Sequence, residues 1–138
     1  MNSIIAADFP LYSHNPPLQV KLWDPKAGKC VYSIHGHKNA VTSVQWNNNG
    51  NWLLTGSRDQ LCRVFDIRMM RALAAYKGQN REVTAVTWHP HHEELFVSGG
   101  MDGSLMHWCA LSCPLLPSHS PLCVRVLNPA GGKCRSLG

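Results

Sequence analysis

A histidine, a serine and an aspartate stand close together in the first half of the sequence: His37, Ser57 and Asp59. These are the residue types of a hydrolase triad, in which the serine attacks, the histidine takes its proton and the aspartate orients the histidine. The sequence has no Gly-rich phosphate loop and no nucleophile elbow beside them. Because a repeat described below accounts for these positions better, we interpret them as structural and predict that the protein is not an enzyme.

Two further stretches carry residue types that bind metals. His89, His91 and His92 precede Glu93, but they lie in an expected turn, where adjacent side chains point in different directions, and no HExxH pattern is present. The cysteines of the C-terminal part follow the spacing C-x3-C-x9-C-x10-C, without the short C-x2-C pairs that indicate zinc. They are Cys109, Cys113, Cys123 and Cys134, accompanied by His107 and His119. We therefore predict no metal site and no cofactor.

The charge pattern is mildly basic, with a formal net charge of +5. This balance is compatible with a nucleic-acid partner, although no run of clustered Lys or Arg occurs. The N-terminus lacks the basic region and the apolar run of a signal peptide, and no apolar stretch approaches the roughly 18 residues of a membrane span. We expect an intracellular protein with reduced thiols and no membrane association.

A repeat with a period near 42 residues runs through the middle of the sequence. Its landmarks recur at offsets of 42 or 43 residues: Trp23-Asp24 with Phe65-Asp66, Gly36-His37 with Gly78-Gln79, Trp46 with Trp88, Asp59 with Asp102, and Phe65 with Trp108. A unit of this length that holds Gly-His, then Asp, then an aromatic residue before Asp is typical of a four-stranded propeller blade. The sequence thus resembles the WD-repeat family.

The repeat predicts an all-β fold over residues 20–108, with repeat units at 24–66 and 66–108. We expect about two four-stranded antiparallel blades and a leading strand, which is a partial propeller and not a closed ring, since a ring needs roughly 4 to 8 blades. The predicted strands are Lys29–His35, Val41–Trp46, Trp52–Thr55, Leu61–Phe65, Arg71–Tyr76, Val83–Trp88, Leu95–Ser98 and Leu105–Trp108. The segment Arg68–Gly78 is rich in helix formers, but its place in the repeat favours a strand.

The two flanks differ from the repeat. Residues 1–19 match no part of it and include Pro16-Pro17, so we expect a non-repeat segment and an ordered structure that begins near Leu18. Residues 109–138 are rich in Cys and Pro without periodicity, and we expect loop or disorder there.

Members of the WD-repeat family often hold a blade together with a hydrogen-bonded tetrad of Asp, His, Ser or Thr, and Trp. By position, the resemblance assigns Asp59, His37 and Ser57 to the first unit, with Phe65 in the place of the Trp. It assigns Asp102 and Trp108 to the second unit, with Gln79 and Gly100 in place of the His and the Ser. Neither tetrad is complete, and each missing hydrogen bond removes about 1 kcal/mol.

Several stretches outside the blade signature point to a narrower resemblance. HKNAV, NGNWLLT, DIR and HEELFVSGG are similar to the WD-repeat subunits of the mRNA cleavage and polyadenylation specificity factor, above all the plant form known for flowering-time control. The similarity covers about Gln19 to Trp108. Because both flanks depart from it, we expect a truncated or alternatively spliced product, or a gene model that reads into non-repeat sequence. The similarity implies a non-catalytic nuclear scaffold that binds the protein subunits of that complex and no small-molecule substrate.

In that family a basic segment ahead of the propeller and a zinc-finger partner grip the RNA. Residues 1–19 contain no Lys and no Arg, so we expect contact with pre-mRNA to be indirect or weak. The loops that gather on one rim of a propeller are the expected partner-binding surface. Its candidate residues are Lys38, Asn39, Arg58, Gln60, Asn80, Arg81 and Met101.

Two other functions remain open on the sequence alone. The chain could be a truncated remnant without autonomous activity, because open flanks would expose strand edges and apolar blade faces. It could also be a generic WD-repeat adaptor, for instance of a ubiquitin ligase.

Overall fold

A computed structural model of the chain describes residues 4–7, 19–110 and 126–127, and these residues form eleven β-strands and no helix. Accordingly, none of the described residues belongs to a helix that could cross a membrane. The strands are β1 (Ile4–Ala7), β2 (Gln19–Asp24), β3 (Lys29–His35), β4 (Val41–Trp46), β5 (Trp52–Ser57), β6 (Leu61–Asp66), β7 (Arg71–Lys77), β8 (Val83–Trp88), β9 (Leu95–Gly100), β10 (Leu105–Cys109) and β11 (Val126–Leu127).

The strands form three antiparallel sheets. The first has the order β1-β2-β3, the second β4-β5-β6-β7 and the third β11-β10-β9-β8. The second sheet lies between the other two, because β4 contacts β1 and β2 while β8 contacts β4, β5 and β6. The predicted fold class, an all-β partial propeller that is not a closed ring, is confirmed.

The hairpin turns explain where the chain reverses. Between β4 and β5 the amide oxygen of Asn49 accepts hydrogen bonds from the N–H groups of Asn51 and Trp52, at 2.8 and 3.2 Å. Gly50 has a φ of 73°, a left-handed conformation that glycine adopts without strain. Asn-Gly turns of this kind bring β4 back as β5.

The repeat extends to irregularities in the strand pairing. The pairing of β4 with β5 shifts between Val41 and Ser43, and that of β8 with β9 shifts between Val83 and Ala85, the same place in the next unit. The two units therefore share the register of their strands as well as their order, which places side chains 42 or 43 residues apart on equivalent faces.

Each pair of neighbouring sheets encloses an apolar core. Leu53 and Leu54 are adjacent on β5 and both fully buried, yet they belong to different cores, because successive side chains of a strand point to opposite faces. The core between the first and second sheets contains Val20, Leu22, Ile34, Val41, Leu53 and Phe65. The core between the second and third sheets contains Leu54, Cys62, Val64, Tyr76, Val83, Val86, Trp88, Phe96, Met106 and Trp108.

The flanks contribute strands that the sequence did not predict. Ile4–Ala7 pairs with Val20–Trp23 as the outer strand of the first sheet, although the ordered structure was expected to begin near Leu18. In the C-terminal flank, Cys109 ends β10, and Val126 and Leu127 pair with Met106 and Leu105. The prediction of loop or disorder for the rest of residues 109–138 lies outside the described residues. The helix-forming segment at 68–78 contains strand β7, as its place in the repeat predicted.

Candidate functional site

Four loops meet on one rim of the second and third sheets, and we call this surface the loop rim. It consists of residues 36–40 and 78–82, which lead into β4 and β8, and of the turns 58–60 and 101–104, which follow β5 and β9. The turn of each sheet binds the loop of the same sheet through an aspartate: Asp59 accepts the Lys38 N–H at 3.0 Å, and Asp102 accepts the Asn80 N–H at 3.1 Å.

The first of these connections continues into the interior through His37. Its Nδ1 lies 3.0 Å from an Asp59 carboxylate oxygen and its Nε2 lies 2.6 Å from the Thr55 hydroxyl. Burial lowers the pKa of His37 below 6.5, against the opposing effect of Asp59. The neutral ring therefore donates from Nδ1 to Asp59 and accepts the Thr55 proton at Nε2.

Asp59 remains ionised in this setting. Burial by itself would raise its pKa, but hydrogen bonds from the Lys38 N–H and from His37 outweigh burial and hold the pKa below 3.8. The side chains of His37 and Asp59 are only 2% and 7% exposed. Little of either side chain therefore reaches solvent, and both ring nitrogens of His37 are engaged, one with Asp59 and one with Thr55.

The assignment of Ser57 to this network needs correction. Its hydroxyl lies 3.1 and 2.9 Å from the carbonyl oxygens of Asn39 and Ala40, and it does not contact His37. Thr55, two residues before Ser57 on β5, takes the place of Ser57 in the network, because its hydroxyl lies within hydrogen-bond distance of His37 Nε2. In the place of a tryptophan, Phe65 packs edge-on against the His37 ring at a centroid distance of 6.5 Å.

The second network is broken at a different point. The Trp108 indole N–H donates to Ser98 at 2.8 Å, so Ser98, and not Gly100, corresponds to Thr55. Gln79 stands where the first unit has His37; it is 2% exposed, and its side-chain nitrogen has no hydrogen-bond partner. Gly100 serves another purpose, because a Cβ there would lie 2.7 Å from an Asp102 oxygen and 3.0 Å from Gln79.

Contacts between the two sheets bring several candidate rim residues together. The Arg58 guanidinium lies 3.2 Å from the Glu82 carboxylate, and Gln60 donates to the carbonyl of Asn80 at 3.3 Å. The Met101 N–H donates to the Glu82 carbonyl at 2.8 Å, while its side chain is 58% exposed. Glu82 therefore connects the turn after β5 with the turn after β9, although no feature of the sequence indicated this role.

The remaining candidates lie beside this group. Lys38, Asn39 and Arg81 are exposed, and Asn39 is used locally, since its amide oxygen accepts the Ala40 N–H at 2.7 Å. The described rim carries three cationic side chains (Lys38, Arg58 and Arg81) and three carboxylates (Asp59, Glu82 and Asp102). The loop rim is polar and formally neutral.

The histidine-rich turn, residues 89–94, lies on the opposite rim and is closed by hydrogen bonds among its own residues. His89 Nδ1 accepts the N–H groups of His91 and His92, both at 3.1 Å. Asn47 binds the carbonyl of Glu93 at 2.6 Å and so joins this loop to the second sheet. Within the described part of the chain, no three His, Cys, Asp or Glu side chains are grouped as metal ligands.

Comparison with known families defines the class of protein. Residues 28–66 and 70–109 match the family described as WD domain, G-beta repeat, and together they make up more than half of the chain. The chain belongs to the WD-repeat family.

Among its relatives, this chain is similar to polyadenylation factor subunit 2. The protein of that name in Schizosaccharomyces pombe is 46% identical over 93 residues, which are 66% of this chain and 18% of the relative. The one in Saccharomyces cerevisiae is 38% identical over 117 residues, which are 78% of this chain and 25% of the relative. Autophagy-related protein 16 of Arabidopsis thaliana is 32% identical over 93 residues, 64% of this chain and 18% of that protein. The chain thus spans a quarter or less of the length of these relatives.

Proposed function

We propose that this protein is a non-catalytic scaffold of the nuclear machinery that cleaves and polyadenylates pre-mRNA. The observation that carries the proposal is the 46% identity to the S. pombe polyadenylation factor subunit 2, which extends over 93 residues. The protein of the same name in S. cerevisiae is 38% identical over 117 residues, which covers 78% of this chain. Similarity to two relatives of this name supports a place among polyadenylation factors.

The chemistry of the described residues favours a scaffold over an enzyme. His37 and Asp59 are buried and engaged with each other, with Thr55 and with a backbone N–H. Ser57, the third member of the triad-like set, faces backbone carbonyls. Three residues of types suited to hydrolysis thus serve to fasten a loop to its sheet.

The loop rim is proposed as the surface that binds protein subunits of the complex. Direct RNA binding depends mainly on excess positive charge placed against phosphates. The three cations of the rim are matched by three carboxylates, and Arg58 is already paired with Glu82. Protein surfaces are bound instead through hydrogen bonds and exposed apolar anchors, and the rim offers Gln60, Asn80 and the exposed side chain of Met101.

Co-purification from nuclear extract tests the proposal. The tagged full chain is expected to retain polyadenylation factors, and the triple substitution Lys38→Glu, Arg58→Glu and Arg81→Glu is expected to lose them. The matched control, Lys26→Glu, Lys29→Glu and Arg71→Glu, makes the same change in charge at exposed positions away from the loop rim. It should bind as the parent chain does.

Two outcomes would count against parts of the proposal. If the parent chain retains no polyadenylation factor, the role in 3′-end processing is wrong. If the rim variant binds as well as the parent, the role stands but the binding surface lies elsewhere. Both variants should keep the melting temperature of the parent, which shows that a loss of binding is not a loss of folding.

A further inference from the structure

A groove opens on the rim opposite the loop rim, between the start of β5 and the turn that leads into β9. It is lined by Trp52, by the turn residues 91–94, and by Leu95 and Cys109. Its volume of about 540 Å³ lies within the range of roughly 300–1,000 Å³ that is usual for ligand-binding clefts. We call this cleft the Trp52 groove.

Trp52 forms an aromatic wall of the groove. Its ring centroid lies 6.3 Å from that of Trp88, with the two planes tilted by 35°, so the half-buried indole is held in place by packing. The indole N–H groups of Trp88 and Trp108 both have protein acceptors. The N–H of Trp52 has none among the described residues. Trp52 thus offers the groove a fixed aromatic surface and an N–H donor.

The groove also carries unbalanced negative charge. Glu93 and Glu94 are exposed, and their carboxylates form no ion pair or hydrogen bond with any residue that the structure describes. By contrast, Asp59, Asp66 and Glu82 are each paired with a basic side chain. The described lining of the groove includes no Lys or Arg. Two unpaired carboxylates therefore lie together on a chain whose formal net charge is +5.

The backbone that carries these carboxylates is fixed in advance. The Asn47 side-chain amide donates to the carbonyl of Glu93 at 2.6 Å, and the Ala110 N–H donates to the carbonyl of Glu94, also at 2.6 Å. The Leu95 N–H closes the turn by donating to the carbonyl of His92 at 3.3 Å. Because the turn is already ordered, a ligand pays less conformational entropy to bind there.

The groove is a property of this chain and not of the repeat. The turn that follows Trp46 in the second sheet corresponds to the turn that follows Trp88 in the third. Residues 47–51 of the former read NNNGN and carry no charge, whereas residues 89–94 of the latter end in two glutamates. The repeat landmarks therefore do not account for the acidic side chains beside Trp52.

We infer that the Trp52 groove binds an arginine side chain from a basic segment of a partner protein. A planar guanidinium stacks on an indole face, and its N–H groups can reach the carboxylates of both Glu93 and Glu94. The aliphatic stem of the arginine packs against Leu95. Nucleic acid fits less well, because its phosphates are repelled by the same carboxylates. The inference goes beyond the proposed function and does not rest on it.

The adjoining part of this chain does not supply the cation. Cys109 lines the groove and Ala110 follows it, but residues 111–124 contain no Lys or Arg. The first cation in that direction, Arg125, immediately precedes Val126, which pairs with Met106 and not with Cys109. The arginine therefore comes from another molecule.

Titration of the isotope-labelled full chain, followed by NMR at pH 7.5, tests the inference. The probe is Nα-acetyl-arginine amide, and its control is Nα-acetyl-citrulline amide, which has nearly the same shape but no charge. We expect the arginine probe to shift the indole N–H signal of Trp52 and the backbone amide signal of Leu95. The citrulline probe should bind at least about fivefold more weakly, and signals of the loop rim should not move with either probe.

Substitutions in the groove separate the contributions of charge and ring. Glu93→Gln and Glu94→Gln, made separately, should each weaken binding of the arginine probe by about twofold to fivefold. Asp24→Asn is the matched control: it removes one negative charge from the first sheet and keeps an oxygen for the Lys26 N–H, so it should bind as the parent does. Trp52→Leu should weaken binding at least about threefold, measured at the Leu95 amide.

Four results would overturn the inference. Two are equal binding of the arginine and citrulline probes, and parent affinity in both glutamate variants. The third is a Trp52 signal that moves with protein concentration alone, because a second copy of the chain would then occupy the groove. The fourth is a larger shift of that signal with a short oligouridylate than with the arginine probe, which would assign the groove to RNA. None of these measurements uses a polyadenylation factor, so this inference and the proposed function can fail separately.

Discussion

At the scale of single residues, the two blades have lost different members of one hydrogen-bonded network. The first keeps His37 between Asp59 and Thr55 but has Phe65 where an indole would donate. The second keeps the Trp108 indole on Ser98 but has Gln79 where a histidine would join Ser98 to Asp102. Both loops are fastened all the same, because each aspartate also accepts a backbone N–H.

His37 should make the stability of the protein depend on pH. Because burial lowers its pKa in the folded state below 6.5, the unfolded chain binds a proton at higher pH than the folded chain does. The free energy of unfolding is then at its full value above about pH 6.5 and falls as the pH drops below it. Asp59, whose folded pKa lies below 3.8, adds a further loss as the pH falls through that folded pKa.

His37→Gln removes the histidine part of this dependence. The free energy of unfolding, measured with urea at several pH values between 7.5 and 5, should depend less steeply on pH in the variant than in the parent. At pH 7.5 the variant should also be less stable by about 1–3 kcal/mol, because hydrogen bonds are lost. His91→Gln, at an exposed position of the opposite rim, is the control and should keep the parent slope. An unchanged slope in His37→Gln would show that other groups cause the acid sensitivity.

Gln79→His should repair the second network. An imidazole at this position can connect the Asp102 carboxylate with the Ser98 hydroxyl, and the substitution also removes a buried amide nitrogen that has no partner. We expect a gain of about 1 kcal/mol in the free energy of unfolding. Gln79→Ala removes the unpaired amide without adding the link and leaves a cavity at a buried position, so it should be less stable than Gln79→His. Equal values for the two variants would contradict the restored link.

At the scale of elements, side chains of one inner strand bind the backbone of the next. The Ser43 hydroxyl accepts the Val86 N–H at 3.3 Å, and the Gln45 amide oxygen accepts the Trp88 N–H at 2.7 Å. These bonds use N–H groups of β8 that point away from β9 and toward β4. The positions of Ser43 and Gln45 are taken by Ala85 and Thr87 on β8, so only one of these two positions carries a side-chain oxygen on the third sheet.

Removal of these acceptors should loosen β8 selectively. Gln45→Ala, at an exposed side chain, is expected to cost about 1 kcal/mol and to speed hydrogen exchange of the Trp88 amide. Thr87→Ala is the matched control, because its hydroxyl makes only a long contact of 3.4 Å with a neighbouring carbonyl. Equal exchange of the Trp88 amide in both variants would show that Gln45 does not hold the strand.

Elements also show how far the sequence could be read. Strands β3, β4 and β8 were predicted at their observed bounds, because turn residues and alternating apolar residues mark both of their ends. Strand β1 escaped prediction since no landmark of the repeat marks it and its pairing with β2 is a contact between distant residues. Thr55 was missed for a related reason: two hydroxyl residues stand on the same face of β5, and only the hairpin geometry decides which one faces His37.

At the scale of the whole molecule, the second sheet is the best protected part. Its strand β5 has a fully buried leucine on each face, Leu53 toward the first sheet and Leu54 toward the third. Strand β3, in contrast, lies at an edge and exposes Val31 and Tyr32. Stability is therefore distributed unevenly, with the middle sheet depending on both neighbours.

Hydrogen exchange should reveal this gradient. Amides of β5 are expected to exchange only by global unfolding, while those of β3 should exchange faster through local opening. Leu53→Ala and Leu54→Ala should each cost about 2–5 kcal/mol, but the first should speed exchange mainly in the first sheet and the second mainly in the third. Identical exchange maps for the two variants would mean that the three sheets unfold as one unit.

The sequence by itself determined the kind of fold, because the spacing of Trp, Asp and Gly-His landmarks fixes a four-stranded unit and its repetition. The repeat also predicted a structural role for the triad-like residues, since each stands at a landmark position of the unit and Asp59 recurs as Asp102. Only the tertiary structure decided which hydroxyl completes each network and how Glu82 joins the rim. It also decided that Val83 and Val86 pack closely against Gly56. Those features depend on contacts between strands far apart in the chain, which local propensity and periodicity do not record.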